Sequence, residues 1–277
     1  MLYYIQQQST PHFPGSRTLF KNFERRIKLM GVKFTTFGGM SMLVERSDGF
    51  KILCDPFITG NPDANVNLED LYDVDLILVS HVSYDHLGDA PKIFANSKAT
   101  MLCDRSSVKV MHDMGVWDGS RARPVGYGDK REFGCTTVRV MRAWHSSTIK
   151  YENGDFQYAP PLGYMIQVEP GVTYYAPGDT TIYDDMHTMN ELYHPNVVST
   201  GISNIKPGTG REKDAREAAL EVMWLGAEVV FPGHYYEGNK DFEEWLKCME
   251  VLNPRVKIIT EKNRAFEYTP FSIKLVE

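Results

Sequence analysis

The stretch SHVSYDHLGD, residues 80–89, places His81, Asp85 and His86 directly behind the apolar run Leu76–Val79. A continuous apolar run of strand length suits a sheet covered on both faces. A polar cluster at the end of such a strand lies at one rim of the sheet, where ligand sites collect. Ser83 stands in the middle of the cluster, where one more histidine would complete a metal-binding set.

Four other strand ends follow the same plan. Cys54-Asp55-Pro56 ends the strand Lys51–Leu53, and Trp144-His145-Ser146 ends the strand through Val138–Met141. Pro177-Gly178-Asp179 follows Tyr174-Tyr175, and Pro232-Gly233-His234 follows Val229–Phe231. Each is a strand, a tight turn and one metal-competent side chain. A single histidine at a strand end is ordinarily structural; several at the same topological place point to one site.

In this order, His81-x-Ser83-x-Asp85-His86, His145, Asp179 and His234 resemble the metallo-β-lactamase superfamily. Its motif is His-x-His-x-Asp-His, followed by a distant histidine, a Gly-Asp pair and a late Gly-His. The likeness runs from about Gly31 to the end of the chain, and Asp55 matches the early aspartate. Asp55-Pro56-Phe57 and Pro232-Gly233-His234 suggest the branch of metal-dependent hydrolases that includes L-ascorbate-6-phosphate lactonase. The resemblance implies an α/β fold, an αββα sandwich of two mixed β-sheets flanked by helices, with a metal site at one edge between the sheets. It further implies that His81, the Ser83 position and His145 serve one ion, that Asp85, His86 and His234 serve another, and that Asp179 bridges them. Asp55 is expected to orient a ligand histidine by accepting its other N–H.

Ser83 departs from the motif. A serine hydroxyl is not ionised near neutral pH and is a poor ligand beside imidazole, so the first position is left short of a donor. Asp85, His86, Asp179 and His234 remain a full set for Zn²⁺, acceptable also to Mn²⁺, Fe²⁺ or Ni²⁺. The expectation from sequence is a metal-dependent hydrolase holding nearer one ion than two, with Asp85 or Asp179 handling the proton of the attacking water. The expected substrate is a small ester, lactone or phosphorylated metabolite. A weakly active or inactive metal-binding homologue and a metal-dependent nuclease are the competing readings.

The totals fit. With 277 residues, 42% hydrophobic and 24% charged, the chain is long enough for one large domain with a sizeable core. A net charge of −6 argues against bulk attraction to nucleic acid or an anionic membrane, and no run of about 18 apolar residues is present to span one. The four cysteines form no CxxC pair, which together with the absence of a secretion signal favours a reduced, cytoplasmic protein. Residues 1–30 lie outside the resemblance to the domain 31–277. They carry much of a basic stretch from Arg17 to Lys33 and are a candidate contact between subunits of a homo-oligomer.

The rest of the chain reads as alternating strands and helices without linkers. Helices are expected at 89–95, 106–114, 182–193 and 211–225, and around Phe242, Trp245, Leu246 and Met249. Strands are expected at 33–37, 42–45, 51–54, 76–80, 99–103, 121–125, 136–144, 164–169, 172–176, 196–200, 228–231, 256–260 and 271–276. The loop 146–161, with Tyr151 and Tyr158, is a candidate lid. Ser203–Gly208, with Lys206 and Arg211 nearby, reads as a turn rather than an anion site at a helix N-terminus. His12, His112, His187 and His194 match no motif position and read as structural or surface residues, although His12 belongs to a segment that could fold over a cleft.

Overall fold

The computed structural model describes residues 31–151, 153–203, 212–236 and 238–270. In the first sheet, β1 (Val32–Gly38), β2 (Ser41–Glu45) and β3 (Lys51–Cys54) run antiparallel. Three parallel strands follow: β4 (Leu76–Leu78), β5 (Thr100–Cys103) and β6 (Ala122–Pro124). Helices α1 (Ala90–Asn96) and α2 (Arg105–Asp113) make the crossovers, and β16 (Phe266–Tyr268) closes the far edge against β1.

The second sheet mirrors this plan. β7 (Lys130–Phe133), β8 (Thr136–Arg142), β11 (Leu162–Glu169) and β12 (Val172–Ala176) are antiparallel neighbours. β13 (Val197–Gly201), β14 (Val229–Gly233) and β15 (Lys257–Ile258) continue the sheet in parallel. Helices α3 (Asp185–Tyr193), α4 (Ala215–Leu225) and α5 (Lys240–Leu252) separate them along the chain. A separate hairpin, β9 (Ser147–Lys150) with β10 (Phe156–Ala159), occupies the loop read as a candidate lid.

Two-residue alternation along the strands divides the core into three layers. Leu76 and Leu78 of β4 join Phe34, Tyr174 and Phe231 between the sheets, whereas Ile77 joins Leu53, Met101 and Phe94 under the first helical layer. On the far side Tyr175, Val198 and Val230 pack against Met186, Ala218, Val222 and Trp245 of the other helices. The α/β sandwich expected from sequence is the observed architecture.

Differences are local. Lys130–Phe133 carries charges rather than apolar alternation because it is an edge strand, and it hid its pairing with β8 for that reason. The hairpin strands are short and their aromatic residues Phe156 and Tyr158 face outward, so no buried stripe marked them. Helix α4 begins at Ala215, where Asp214 and Glu217 form a reciprocal capping box, and α3 begins at Asp185. Residues 1–30 and the expected final strand 271–276 lie outside the described residues, as do Lys206, Arg211 and most of the anion-turn segment.

Candidate metal centre

All the strand-end residues gather at one edge of the sandwich, because β3, β4, β12 and β14 deliver them at the same end of parallel runs. Three cross-ties fix that edge. The Tyr164 hydroxyl donates to the Val79 carbonyl at 2.7 Å, and Leu162 N–H donates to the Ser80 carbonyl at 2.9 Å. Ser147 Oγ donates to Asp104 Oδ2 and accepts from Val82 N–H.

Glycine permits the close approaches. A Cβ on Gly178, at φ +62°, would sit 2.5 Å from the Cβ of Ser80, and one on Gly233 would sit 2.3 Å from the Gly39 carbonyl oxygen. Asp55 and His234 adopt φ of +43° and +49° without being glycine. Such strained backbone persists only where the surroundings over-determine it, and it clusters at functional sites.

Asp55 and Ser80 build the floor. Asp55 accepts from Ser80 N–H at 2.7 Å and from Ser80 Oγ–H at 2.8 Å. Its Oδ2 also lies 2.9 Å from His86 Nδ1. With its own proton given to Asp55, Ser80 Oγ acts as acceptor toward His81 Nδ1, 3.0 Å away. In the neutral rings this network places the protons of His81 and His86 on Nδ1 and leaves Nε2 as the free electron-pair donor of each. His81 Nε2, His86 Nε2 and His234 Nε2 are all buried and have no hydrogen-bond partner. Buried polar atoms are ordinarily satisfied, so three orphaned imidazole nitrogens at one place mark a site built for something else.

Carboxylates complete it. Asp179 Oδ1 lies 3.3 Å from His86 Nε2 and 3.3 Å from His234 Nδ1. Asp85 Oδ2 lies 3.6 Å from His234 Nε2 and 3.9 Å from His86 Nε2. The donor atoms of Asp85, His86 and His234 fall within 4.8 Å of one another, as do those of His81, His86 and Asp179. His145 is less buried, with Nε2 3.9 Å from Asp179 Oδ2. Ser83 turns its hydroxyl to Asp85 Oδ1 at 2.5 Å.

The electrostatics follow from burial and carboxylate placement. Burial, reinforced by His86, pushes the His81 imidazole well below its ordinary pKa. Burial also works against the charge on His86, but Asp179 and Asp55 on either side outweigh it and hold that ring well above its ordinary value. Asp179 is held well below the carboxylate range, its burial overcome by His234 and His86. His145 is raised because Glu212 and Asp179 outweigh its burial. Divalent cations are the species that this mixture of buried imidazoles and carboxylates accepts.

Two residues of the cluster carried no signal in the sequence. Ser80 is an ordinary serine at a strand end, and only the fold shows it between three site residues. Glu212, 3.1 Å from His145 Nδ1, belongs to no motif and precedes α4 in a segment of mixed charge. A carboxylate shortly before a helix is too common in sequences to single it out.

Two mixed sheets between helices, with this cluster at the strand ends, define a metallo-β-lactamase fold, and residues 51–235 match the β-lactamase superfamily domain. The chain belongs to the UPF0173 metal-dependent hydrolases of that superfamily. It is 36% identical over 209 residues to the UPF0173 metal-dependent hydrolase of Pyrococcus horikoshii, covering 74% of this chain and 84% of that protein. The Methanopyrus kandleri member is 32% identical over 240 residues, which are 85% of this chain and 100% of that protein. Among solved structures, Igni18, a metallo hydrolase from Ignicoccus hospitalis, superimposes with a TM-score of 0.68 at 27% identity, covering 86% of this chain and 99% of that one. Among the described residues no helix is long and apolar enough to cross a membrane.

Proposed function

We propose that this hydrolase opens a small ester, lactone or phosphorylated metabolite, in the manner of the L-ascorbate-6-phosphate lactonase branch, with Zn²⁺ as the preferred ion and Mn²⁺, Fe²⁺ or Ni²⁺ as substitutes. The observation that carries the reading is the set of three buried, unpartnered Nε2 atoms facing Asp85 and Asp179. Asp85, His86, Asp179 and His234 would hold the ion, and His81 and His145 flank it. A divalent ion supplies water acidified toward a pKa of about 7 and a polarised electrophile.

The chain's own groups do the rest. Asp55 and Ser80 keep the proton of His86 on Nδ1, so that its Nε2 stays a donor of electrons. Asp179 or Asp85 orients the attacking water and takes up its proton.

The test is a panel of lactones, esters and phosphate esters with each of the four metals. Turnover of at least one compound, abolished by chelator and restored by metal, is the expected result. No turnover across the panel would favour the inactive metal-binding homologue, the reading that Ser83 itself motivates. Cleavage of RNA at low salt would favour the nuclease.

A further inference from the structure

We propose that Glu212 is itself a metal ligand, standing in for the histidine that Ser83 replaces, so that a second ion is held by His81, His145, Asp179 and Glu212. This rests on the reading of the edge cluster as a metal centre and extends it to a residue outside the motif. Ser83 offers only a neutral hydroxyl, a weak ligand beside imidazole, and its proton is directed to Asp85. On its side of the cluster the structure provides two imidazoles. The His81 Nε2 is buried and unpartnered, and its ring centroid is 4.8 Å from that of His145.

Glu212 supplies what is missing. Its Oε1 lies 3.1 Å from His145 Nδ1, and the donor atoms of His145, Asp179 and Glu212 all fall within 4.8 Å of one another. Nitrogen and oxygen ligands about 2.0–2.2 Å from an ion lie apart by less than this, so a small adjustment brings them to one centre. Glu212 meets His145 on Nδ1 while Asp179 lies 3.9 Å from Nε2 of the same ring, so Glu212 ligates by turning from Nδ1 toward the point that the three donors share. His81, grouped with Asp179 and His86, joins through the shared Asp179. Replacing an imidazole by a carboxylate makes this position harder, suited to Mn²⁺ or Fe²⁺ as well as Zn²⁺.

The local chain is built to present Glu212. Its neighbour Lys213 is buried, with Nζ 2.5 Å from Glu221 Oε2 on α4, and Thr200 at the end of β13 donates to the same oxygen at 2.5 Å. Asp214 then caps α4. Three consecutive side chains are thus directed to the metal centre, to the core and to the helix end.

The experiment is titration of chelator-stripped protein with Zn²⁺ and, separately, Mn²⁺, read by calorimetry and by elemental analysis after desalting. The wild type is expected to hold about two ions per chain and Glu212→Gln about one. Ser83→His combined with Glu212→Gln is expected to return to about two, since it restores the imidazole by another route. Melting curves of each apoprotein check that the fold is intact, and the rescue distinguishes ligand loss from a general defect. A wild type holding only one ion, or a Glu212→Gln variant holding as many as the wild type, overturns the assignment. Two ions without turnover of any substrate would sink the hydrolase reading and leave this one standing. Turnover in a one-ion enzyme indifferent to Glu212→Gln would do the reverse.

Discussion

The hydroxyl of Ser80 lies 2.8 Å from Asp55 and 3.0 and 3.1 Å from the Nδ1 atoms of His81 and His86. Asp55 is the only acceptor in this trio that gives up no proton, so the direction of every hydrogen bond in the floor follows from its charge. Asp55→Asn puts a donor where His86 Nδ1–H must find an acceptor, which favours the wrong tautomer. The expected result is metal affinity lower by about 10–100-fold, measured by competition with a chelating dye. Affinity within error of wild type would show that the floor does not set the tautomer. Acidification acts on the same rings. Because Asp179 and Asp55 overcome burial to raise His86, and Glu212 and Asp179 do so for His145, protons compete with the ion at higher pH than free imidazole would allow. Metal affinity is therefore expected to go on rising as the pH climbs above the ordinary histidine pKa, read as a Kd series across pH. In the metal-free protein the sign is opposite. The raised His86 stabilises the fold fully below its unfolded pKa, and that contribution is lost as the pH rises through the folded value.

Helix α4 illustrates how an element serves the site without touching it. Its N-terminus is fixed by the Asp214–Glu217 capping box, its apolar stripe by Ala218, Ala219 and Val222, and its core-facing charge Glu221 by Lys213 and Thr200. Lys213→Met would leave Glu221 buried without its counter-charge, at a cost of about 3–5 kcal/mol in urea unfolding, whereas Lys213→Met with Glu221→Leu would cost much less. Similar losses from the single and the double variant would show that packing, not charge, holds this turn. The helix was legible in the sequence because Ala215, Ala218, Ala219, Val222 and Met223 repeat at helical spacing, and of these only Met223 is exposed. The buried ion pair was not, because Lys213 and Glu221 look like any solvent-facing charges until α4 is laid on β13.

At the scale of the whole molecule, two sheets close on a shared layer, and the site occupies the edge where their parallel halves end. Phe34 sits in that layer against Tyr174, 5.5 Å between ring centroids, and Phe231, 6.0 Å away. Phe34→Ala is expected to lower stability by about 3–5 kcal/mol. Metal should act in the opposite sense, because it binds the assembled edge and not the unfolded chain. At a free concentration of 100 Kd the gain is about 2.7 kcal/mol, visible as a chelator-reversible rise in Tm. A Tm indifferent to both metal and chelator would contradict a centre that bridges the two sheets.

The periodicities of the sequence were enough to give one α/β domain of alternating strands and helices, and the sandwich came from the resemblance that its motif carries. Leu76, Ile77 and Leu78 alternate between two hydrophobic layers, and strand ends at Asp55, His81, Asp179 and His234 are brought to one edge by parallel pairing. Those are local patterns repeated along the chain, and local patterns survive in one dimension. The motif positions His81, Asp85, His86, His145, Asp179 and His234 were legible through the order and spacing of the family motif they resemble, and the structure brings them to one place. Tertiary structure alone decided which ring nitrogens are bare, that Ser80 links Asp55 to two histidines, and that Glu212 comes to His145. These depend on distances of about 3 Å between segments remote in sequence, where hydrogen bonding discriminates sharply and sequence spacing carries no information.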